Sequence, residues 1–454
     1  MAVGVFARRA QREAALANST TEFLSSVFAG ANPYNTPGGA TARDLLDRGA
    51  ARIETELKAQ PEVRMRLTGI IGRAYRQLGQ FDRAVGLLEK SAADYRAAGR
   101  TEDLAYASIL LELGAVHRSA SKYDEAEACA RQALAIVDRL APGDSIERAD
   151  TLNGLGLTLF NRRKFDEGER LLTEALGIHE RRLGGDHDSA TETRNNLAIL
   201  LFDRGDWNRA EPLMRRNLDV RLRTLGEFHP STSTALNNLS FVVGTLGNNT
   251  EREVLTRRSL AIRRKVFGED HPDTANAWSV HAQALFSLGR SREAAEELRR
   301  AIAIDRKSLR PNHAETLLKK QYLASALHDL GELAEAGALA REVAEKRREA
   351  KVDAALIANA TLIEGRVAAA QSRFALAREL MTEALRIYRE RKRARNAAEA
   401  LWLLGQMERK LGRFAEAQAL LTESVAIYRA ELGDAYSSTR RAEAELAAAN
   451  SRAR

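Results

Sequence analysis

Four histidines stand 42 residues apart, at His187, His229, His271 and His313. Imidazole is the commonest protein metal ligand and a frequent general base. This spacing argues against a shared ion. Equivalent points on packed helices lie roughly 8–10 Å apart, whereas a zinc ligand must come within about 2 Å of the metal. Two of the four precede proline, in FHPST and DHPDT, and proline suits the first turn of a helix. The four therefore read as loop and cap residues. His117, His179, His281 and His328 form no ligand pattern, and no metal or cofactor is expected.

Three asparagines, Asn153, Asn195 and Asn237, keep the same 42-residue spacing. Each amide offers both a donor and an acceptor. A ladder of them can hydrogen-bond an extended peptide backbone with little dependence on its sequence; it can equally bind water or brace neighbouring helices. Asparagine is a poor helix former, so its recurrence within a helix calls for one of these hydrogen-bonding roles. The single cysteine, Cys129, lies in EAEACARQAL and excludes an internal disulfide framework. It reads as a small buried group rather than a reactive thiol.

Catalysis finds no support. The chain lacks a G-x-G-x-x-G loop, HRD and DFG triplets, a P-loop, H-E-x-x-H and G-x-S-x-G. Its acidic pairs, such as Asp124-Glu125 and Asp166-Glu167, fall where a helix begins, a place the helix dipole favours for negative charge. The expectation is a protein that is not an enzyme.

The elements that position these groups follow from a repeat. Phe81, Tyr123, Phe165, Trp207, Asn249, Ser291 and Leu333 are 42 apart, and the first four are aromatic. Between Thr151 and Ala190, Leu152, Leu155 and Leu159 have helical spacing; a polar break follows, then Phe165, Leu171, Leu172, Leu176 and Ile178. Each unit is thus a hairpin of a helix A near 14 residues and a helix B near 18. Nine residues before each ring site stand Gly72, Gly114, Gly156, Ala198, Ser240, Ala282 and Ala324. Glycine within a helix costs roughly 1 kcal/mol relative to alanine, so its repeated use implies close approach of A to B. The ring itself is expected to wedge between adjacent helices. Asn249 and Arg252 depart from the aromatic and small residues at their positions and mark a loosely packed segment or a bend. His281 replaces a leucine seen in other units, which predicts an imperfect core there.

The 454 residues are 44% apolar and 29% charged with formal net charge +8. That composition is globular rather than disordered, and the scarcity of proline favours helix nearly throughout. No run approaches 18 apolar residues, so no transmembrane span is expected. The opening MAVGVFARR does not read as a signal peptide. The run RIYRERKRAR, Arg386–Arg395, carries six basic residues and one acidic. Without interleaved aromatic residues beyond Tyr388 it reads as a solvated helix end, and nucleic acid is disfavoured as a partner.

The pattern Leu155-Gly156, Phe165, Leu172, Ala175 resembles the tetratricopeptide repeat. The 42-residue period, the LGEDHPDT loop and the Asn-Asn-Leu triplets at 195–197 and 237–239 resemble its kinesin-light-chain type. The likeness is strong from Pro61 to Pro311 and weaker to Gly433, where Phe374 and Phe414 resume the ring with Gly365 and Gly405 nine before them. It implies an all-α, right-handed superhelical solenoid with helix A on its inner side. The expected organisation is a helical cap or linker at 1–56, a regular array at 57–310, degenerate repeats at 311–432 and a capping helix at 433–454. In the related family the matching asparagines contact cargo peptides. The resemblance thus implies a peptide groove at Arg73, Arg76, Arg118, Asn153, Asn195, Phe202, Asn237, Phe241 and Gln283. Such a groove is basic early and apolar with an amide edge in its middle, and suits a peptide or protein partner with an acidic end.

EFLSSVFAGANPY followed by TARDLLDRGARIETEL resembles the segment that joins a membrane helix to the repeats of large bacterial Ser/Thr kinases, with VGVF as the tail of that helix. Two readings stay open here. The chain is a free-standing cytoplasmic scaffold, or it is the extracytoplasmic sensory region of such a kinase without its catalytic domain. Regulation of a nucleic-acid-associated effector is a third reading. Helices near 5–29 and 42–59 are expected, separated by the turn-rich 32–39.

Overall fold

A computed structural model of the protein describes residues 18–27, 41–309, 312–434 and 436–453. The VGVF opening and the turn-rich segment 32–39 lie outside the described residues. Of the expected helix 5–29, residues 18–27 are described and are helical (α1). Helix α2 (Ala42–Glu56) follows, with Thr41 and Asp44 forming a capping box.

Helical hairpins then succeed one another. They are α3 (Pro61–Gln77) with α4 (Phe81–Ala97), α5 (Leu104–Ser119) with α6 (Tyr123–Leu140), α7 (Ile146–Asn161) with α8 (Phe165–Leu183), and α9 (Asp188–Arg204) followed by α10 (Trp207–Leu225). Next come α11 (Pro230–Thr245) with α12 (Asn249–Phe267), α13 (Pro272–Ser287) with α14 (Ser291–Ser308), and α15 (Ala314–Asp329) with α16 (Leu333–Glu349). The last are α17 (Ala354–Ala370) with α18 (Phe374–Glu390), α19 (Ala394–Lys410) with α20 (Phe414–Leu432), and a final α21 (Ser437–Ala453). Packing divides the chain into residues 1–200 and 201–454, the division falling inside α9. Each unit is an all-α solenoid of paired antiparallel helices, with no strand among the described residues.

Every ring-site residue, from Phe81 to Phe414, is the first residue of a helix B. Helix A is 16 or 17 residues long, rather than about 14. The hairpin turn explains both facts. Two residues before each ring site the backbone turns left-handed: Gly79 has φ 71°, Gly205 97° and Gly412 77°, and the non-glycine Arg163 takes 60°. The next N–H then reaches back to close the end of helix A, as Gln80 does to the Tyr75 carbonyl at 2.9 Å and Lys164 to that of Leu159 at 2.9 Å. The rings therefore sit at the hairpin mouth and not as wedges in its centre. Phe81 is 37% exposed, and Tyr123, Phe165, Phe374 and Phe414 are half-buried.

The centre is closed instead by the small residues. A Cβ placed on Gly156 would meet Leu172 Cγ at 2.8 Å, and one on Gly72 would meet Leu88 Cγ at 2.8 Å. Leu172 and Leu88 are fully buried, as are Ala84, Ala126 and Ala210 at the positions three after the ring. The apolar stripes of both helices thereby face inward, with Leu152, Leu155, Leu159, Leu171 and Ile178 in one cluster.

The loops into helix A are built from the regular histidines. Nδ1 of His187, His229, His271 and His313 accepts the N–H two residues on, at 3.2, 3.1, 3.1 and 3.3 Å. Glycine ends the preceding helix B at Gly226 and Gly268, and the buried hydroxyls of Thr232 and Thr274 donate back to those glycine carbonyls at 2.8 and 2.7 Å. His229→Ala removes an N-cap acceptor and is expected to cost about 1 kcal/mol, read as a lower urea midpoint at unchanged m-value. His229→Asp restores the acceptor and should recover most of the loss.

Candidate functional site

In the unit of residues 1–200, the candidate residues tie neighbouring A helices together. Arg73 on α3 pairs with Glu112 on α5 at 3.1 Å, and Arg76 pairs with the same carboxylate at 3.0 Å. Arg118 on α5 donates to the Gly154 carbonyl of α7 at 3.4 Å. Burial and the neighbouring Arg76 charge pull its guanidinium below the ordinary value. Asn153 on α7 accepts from the Nδ2 of Asn196 on α9 at 3.0 Å. Asn153 thus braces a neighbouring helix, and Asn195 stands half-buried on α9 beside Asn196. The two early arginines share a single acidic partner, so part of the expected basic character is already neutralised.

In the unit of residues 201–454, Phe202 is half-buried, and its carbonyl takes the Trp207 indole N–H at 3.1 Å. Asn237 on α11 is half-buried, and its side-chain oxygen has no hydrogen-bond partner. Phe241 is 38% exposed one turn further along. Gln283 on α13 lines a cavity of about 340 Å³. Successive A helices contribute its wall: Gln321, Tyr322 and Ser325 from α15, Asn359 and Arg366 from α17, Asn396 and Glu399 from α19. Gln283, Ser325 and Arg366 all stand eight residues before the first residue of their helix B, and Gln321 stands twelve before. Within this unit, then, the register of the candidate positions on α13, α15 and α17 faces one shared interior space.

Two features of this wall, and one elsewhere in the same unit, escape the repeat pattern. Arg252 on α12 also reaches the cavity; far from marking loose packing, it fills space that Gly244 leaves open. Tyr388 donates to Asn359 Oδ1 at 2.7 Å, and burial, reinforced by the Glu399 charge, pushes its phenol pKa up. Trp207 is only 8% exposed, unlike the other rings, because Tyr436 lies 5.4 Å from it and the Arg395 guanidinium 5.2 Å. Those residues are some two hundred positions away in the chain, too far for periodicity to connect them. A paired departure at Gly244 and Arg252 was the available signal for the cavity.

His281 is not a defect in the core. Its Nδ1 lies 2.9 Å from Glu297 and its Nε2 3.4 Å from Glu253, with all three largely buried. Burial opposes its charge, yet the hydrogen bonds and charges of Glu297 and Glu253 outweigh burial and hold the imidazole above its ordinary value of 6.5. A raised folded value means stability that is fully present below about pH 6.5 and lost as pH rises through the folded value. The thermal midpoint is therefore expected to fall above pH 6.5 in the wild type, and less so in His281→Leu, when the two pH profiles are compared by calorimetry.

Elsewhere the basic run 386–395 is largely paired. Arg386 meets Glu390 at 2.5 Å, Arg389 meets Glu423 at 2.6 Å, and Arg393 and Arg395 approach Asp353 and Glu431 at 3.7 Å. Cys129 is half-buried, and burial with the charges of Glu125 and Glu89 pushes its thiol pKa up, the opposite of an activated thiolate. Among the described residues no group of three or more His, Cys, Asp or Glu could hold a metal ion, and no helix is long and apolar enough to cross a membrane.

Comparison with known proteins matches two profiles described as tetratricopeptide repeat. One matches residues 64–139, 147–210 and 255–307, the other residues 191–231, 232–273 and 398–435. No curated protein sequence matches the chain. Among solved structures, a signal-transduction ATPase with numerous domains and a tetratricopeptide-repeat sensor, from Pyrococcus horikoshii, aligns with 77% of this chain and 53% of its own at 10% identity and TM-score 0.52. A Rap protein solved in complex with Competence and Sporulation Factor aligns with 76% of this chain and 98% of its own at 13% identity and TM-score 0.50. A putative kinesin light chain from Podosopora anserina with nearly identical TPR-like repeats reaches 24% identity over 45% of this chain and 96% of its own, at TM-score 0.41.

Proposed function

We propose, from the premise that this chain is a tetratricopeptide-repeat protein, that it is a non-catalytic interaction module. In this reading it holds a peptide or protein against the exposed side of its A helices. The observation that carries it is the shared register in residues 201–454: positions eight before each helix B line one interior space on α13, α15 and α17, joined by positions twelve before on α15 and α17. A partner there meets amides and aromatic faces together with the charged side chains of Arg252, Arg366 and Glu399. Exposed Phe241, one turn beyond Asn237, supplies an apolar contact of the kind a partner's side chains use; the side-chain oxygen of Asn237 is itself buried and unpartnered. In residues 1–200 the same face is engaged in helix-to-helix bracing, with Arg73 and Arg76 already on Glu112, so residues 201–454 are the favoured place for the partner.

The test is quantitative capture. Partners retained by the wild-type chain are to be measured against Asn237→Ala/Phe241→Ala. The reading expects about a tenfold or greater loss of affinity from a central contact pair. Undiminished binding of the same partners would move the site off this face.

A further inference from the structure

Arg252 breaks the repeat in a way that requires a second break to accommodate it. The corresponding position holds alanine or glycine in the other hairpins: Ala84, Ala126, Gly168, Ala210, Ala294, Ala336, Ala377 and Ala417. A side chain of this size fits only because Gly244 stands opposite, where the neighbouring hairpins carry Phe202 and Phe286. A Cβ on Gly244 would come within 2.5 Å of Arg252 Cδ. Through that gap the guanidinium passes the Phe241 ring, 6.0 Å from its centre, and enters the cavity. Nη1 donates to Ser287 Oγ at 3.0 Å. Nε is buried with no partner.

What the guanidinium lacks is a counter-ion. Many arginines on these helices meet a carboxylate, as Arg258 does with Glu227 at 3.0 Å; Arg366, which lines the same cavity, lies 3.5 Å from Asp329. Among the described residues no carboxylate lies within ion-pair distance of Arg252. Burial pulls its pKa below the ordinary value, partly offset by Tyr322 and Tyr436. A desolvated, unpaired cation is costly to keep. The rest of the wall mixes the amides of Gln283, Gln321 and Asn359 and the hydroxyl of Tyr322 with apolar Leu298, Leu362 and Ile363. Its other charged residues are Arg366, paired with Asp329, and Glu399, whose charge bears on Tyr388. The volume, about 340 Å³, is that of a small-ligand pocket.

We propose that this cavity is a binding site for a small carboxylate, free or as the terminus of a short peptide, with Arg252 as its anchor and the surrounding amides fixing its orientation. Guanidinium is the group best matched to a carboxylate, because its planar fork offers paired N–H donors. This goes beyond the extended interaction face: it assigns a discrete anion site, occupied by a ligand the size of a metabolite or a single terminal residue. The cost of holding an unpaired arginine is then offset when the ligand binds.

Acetate, the smallest carboxylate, is the first probe. The thermal midpoint of the intact chain is followed as sodium acetate replaces sodium chloride at constant ionic strength, and then with succinate, L-glutamate, and alanine tetrapeptides ending in a free or an amidated C-terminus. The site predicts a saturable rise with carboxylates that chloride does not give. A larger rise with the free than with the amidated peptide assigns the peptide source, and a rise with succinate or glutamate alone assigns the free ligand. Arg252→Ala should weaken the response about tenfold or more. Without ligand its midpoint should be at or above that of the wild type, because it restores the alanine of the other hairpins. Gly244→Ala, which obstructs the path of the side chain, should also weaken the response while leaving the circular dichroism unchanged. Responses identical to chloride, or equal responses in wild type and Arg252→Ala, would overturn the proposal.

Discussion

Replacing Lys319 by methionine is expected to destabilise the protein by about 3–5 kcal/mol. Lys319 on α15 is 2% exposed and its partner, Asp305 on α14, 1% exposed, with Nζ and Oδ2 3.0 Å apart. The ammonium also donates to Asn276 Oδ1 at 2.6 Å, and Thr316 donates to Asp305 Oδ2 at 3.1 Å. The other carboxylate oxygen already lacks a partner. Removing the lysine charge therefore leaves an anion in an interior that offers it one hydroxyl. The double substitution Lys319→Met/Asp305→Leu removes both charges at similar volume and should return to within about 1 kcal/mol of the wild type, or exceed it. Urea denaturation at neutral pH reads both. A single-variant cost below about 1 kcal/mol would mean that the pair is solvated, contrary to the packing described.

The same pair shows where periodicity stops being informative. Asp305 stands fourteen residues after the start of its helix B, and Lys319 fourteen before the start of the next. The equivalent slot elsewhere holds His179 against Thr193, at 3.0 Å. Helical spacing marks such positions as inward-facing, because spacing reports which side of a helix is buried. It carries no information on which residue of a neighbouring helix lies opposite, so a leucine replaced by His281 reads as a flaw until Glu253 and Glu297 are seen around it. The cavity follows the same logic. Gln283 could be assigned from its register alone, but Arg252 acquires meaning only against Gly244. Trp207 against Tyr436 needs the whole path of the chain from α10 to α21. What was legible was everything set by the turn and the hairpin: the ring residues as starts of helix B, the glycines at the crossing, and the histidines as caps of helix A.

The second large effect concerns that crossing. Gly405→Leu is expected to cost about 2–3 kcal/mol, because a Cβ there falls 2.6 Å from Leu421 Cγ, 2.9 Å from its Cδ2 and 3.4 Å from the Ala417 carbonyl. The helix-propensity gain on leaving glycine is about 1 kcal/mol, so a merely local view of α19 expects stabilisation. Opposite signs separate the two accounts. Leu421 is fully buried, and Leu421→Ala alone should cost about 2–5 kcal/mol through the cavity it opens. Combining them moves the bulk from α20 to α19 across the same contact. If the two helices nest as Gly405 and Leu421 indicate, the double variant should be more stable than the sum of the single costs by at least about 1 kcal/mol. Simple additivity would place the two side chains out of contact. It would also undercut the equivalent crossings at Gly72 and Gly156, since all three glycines meet a leucine sixteen residues on in the following helix.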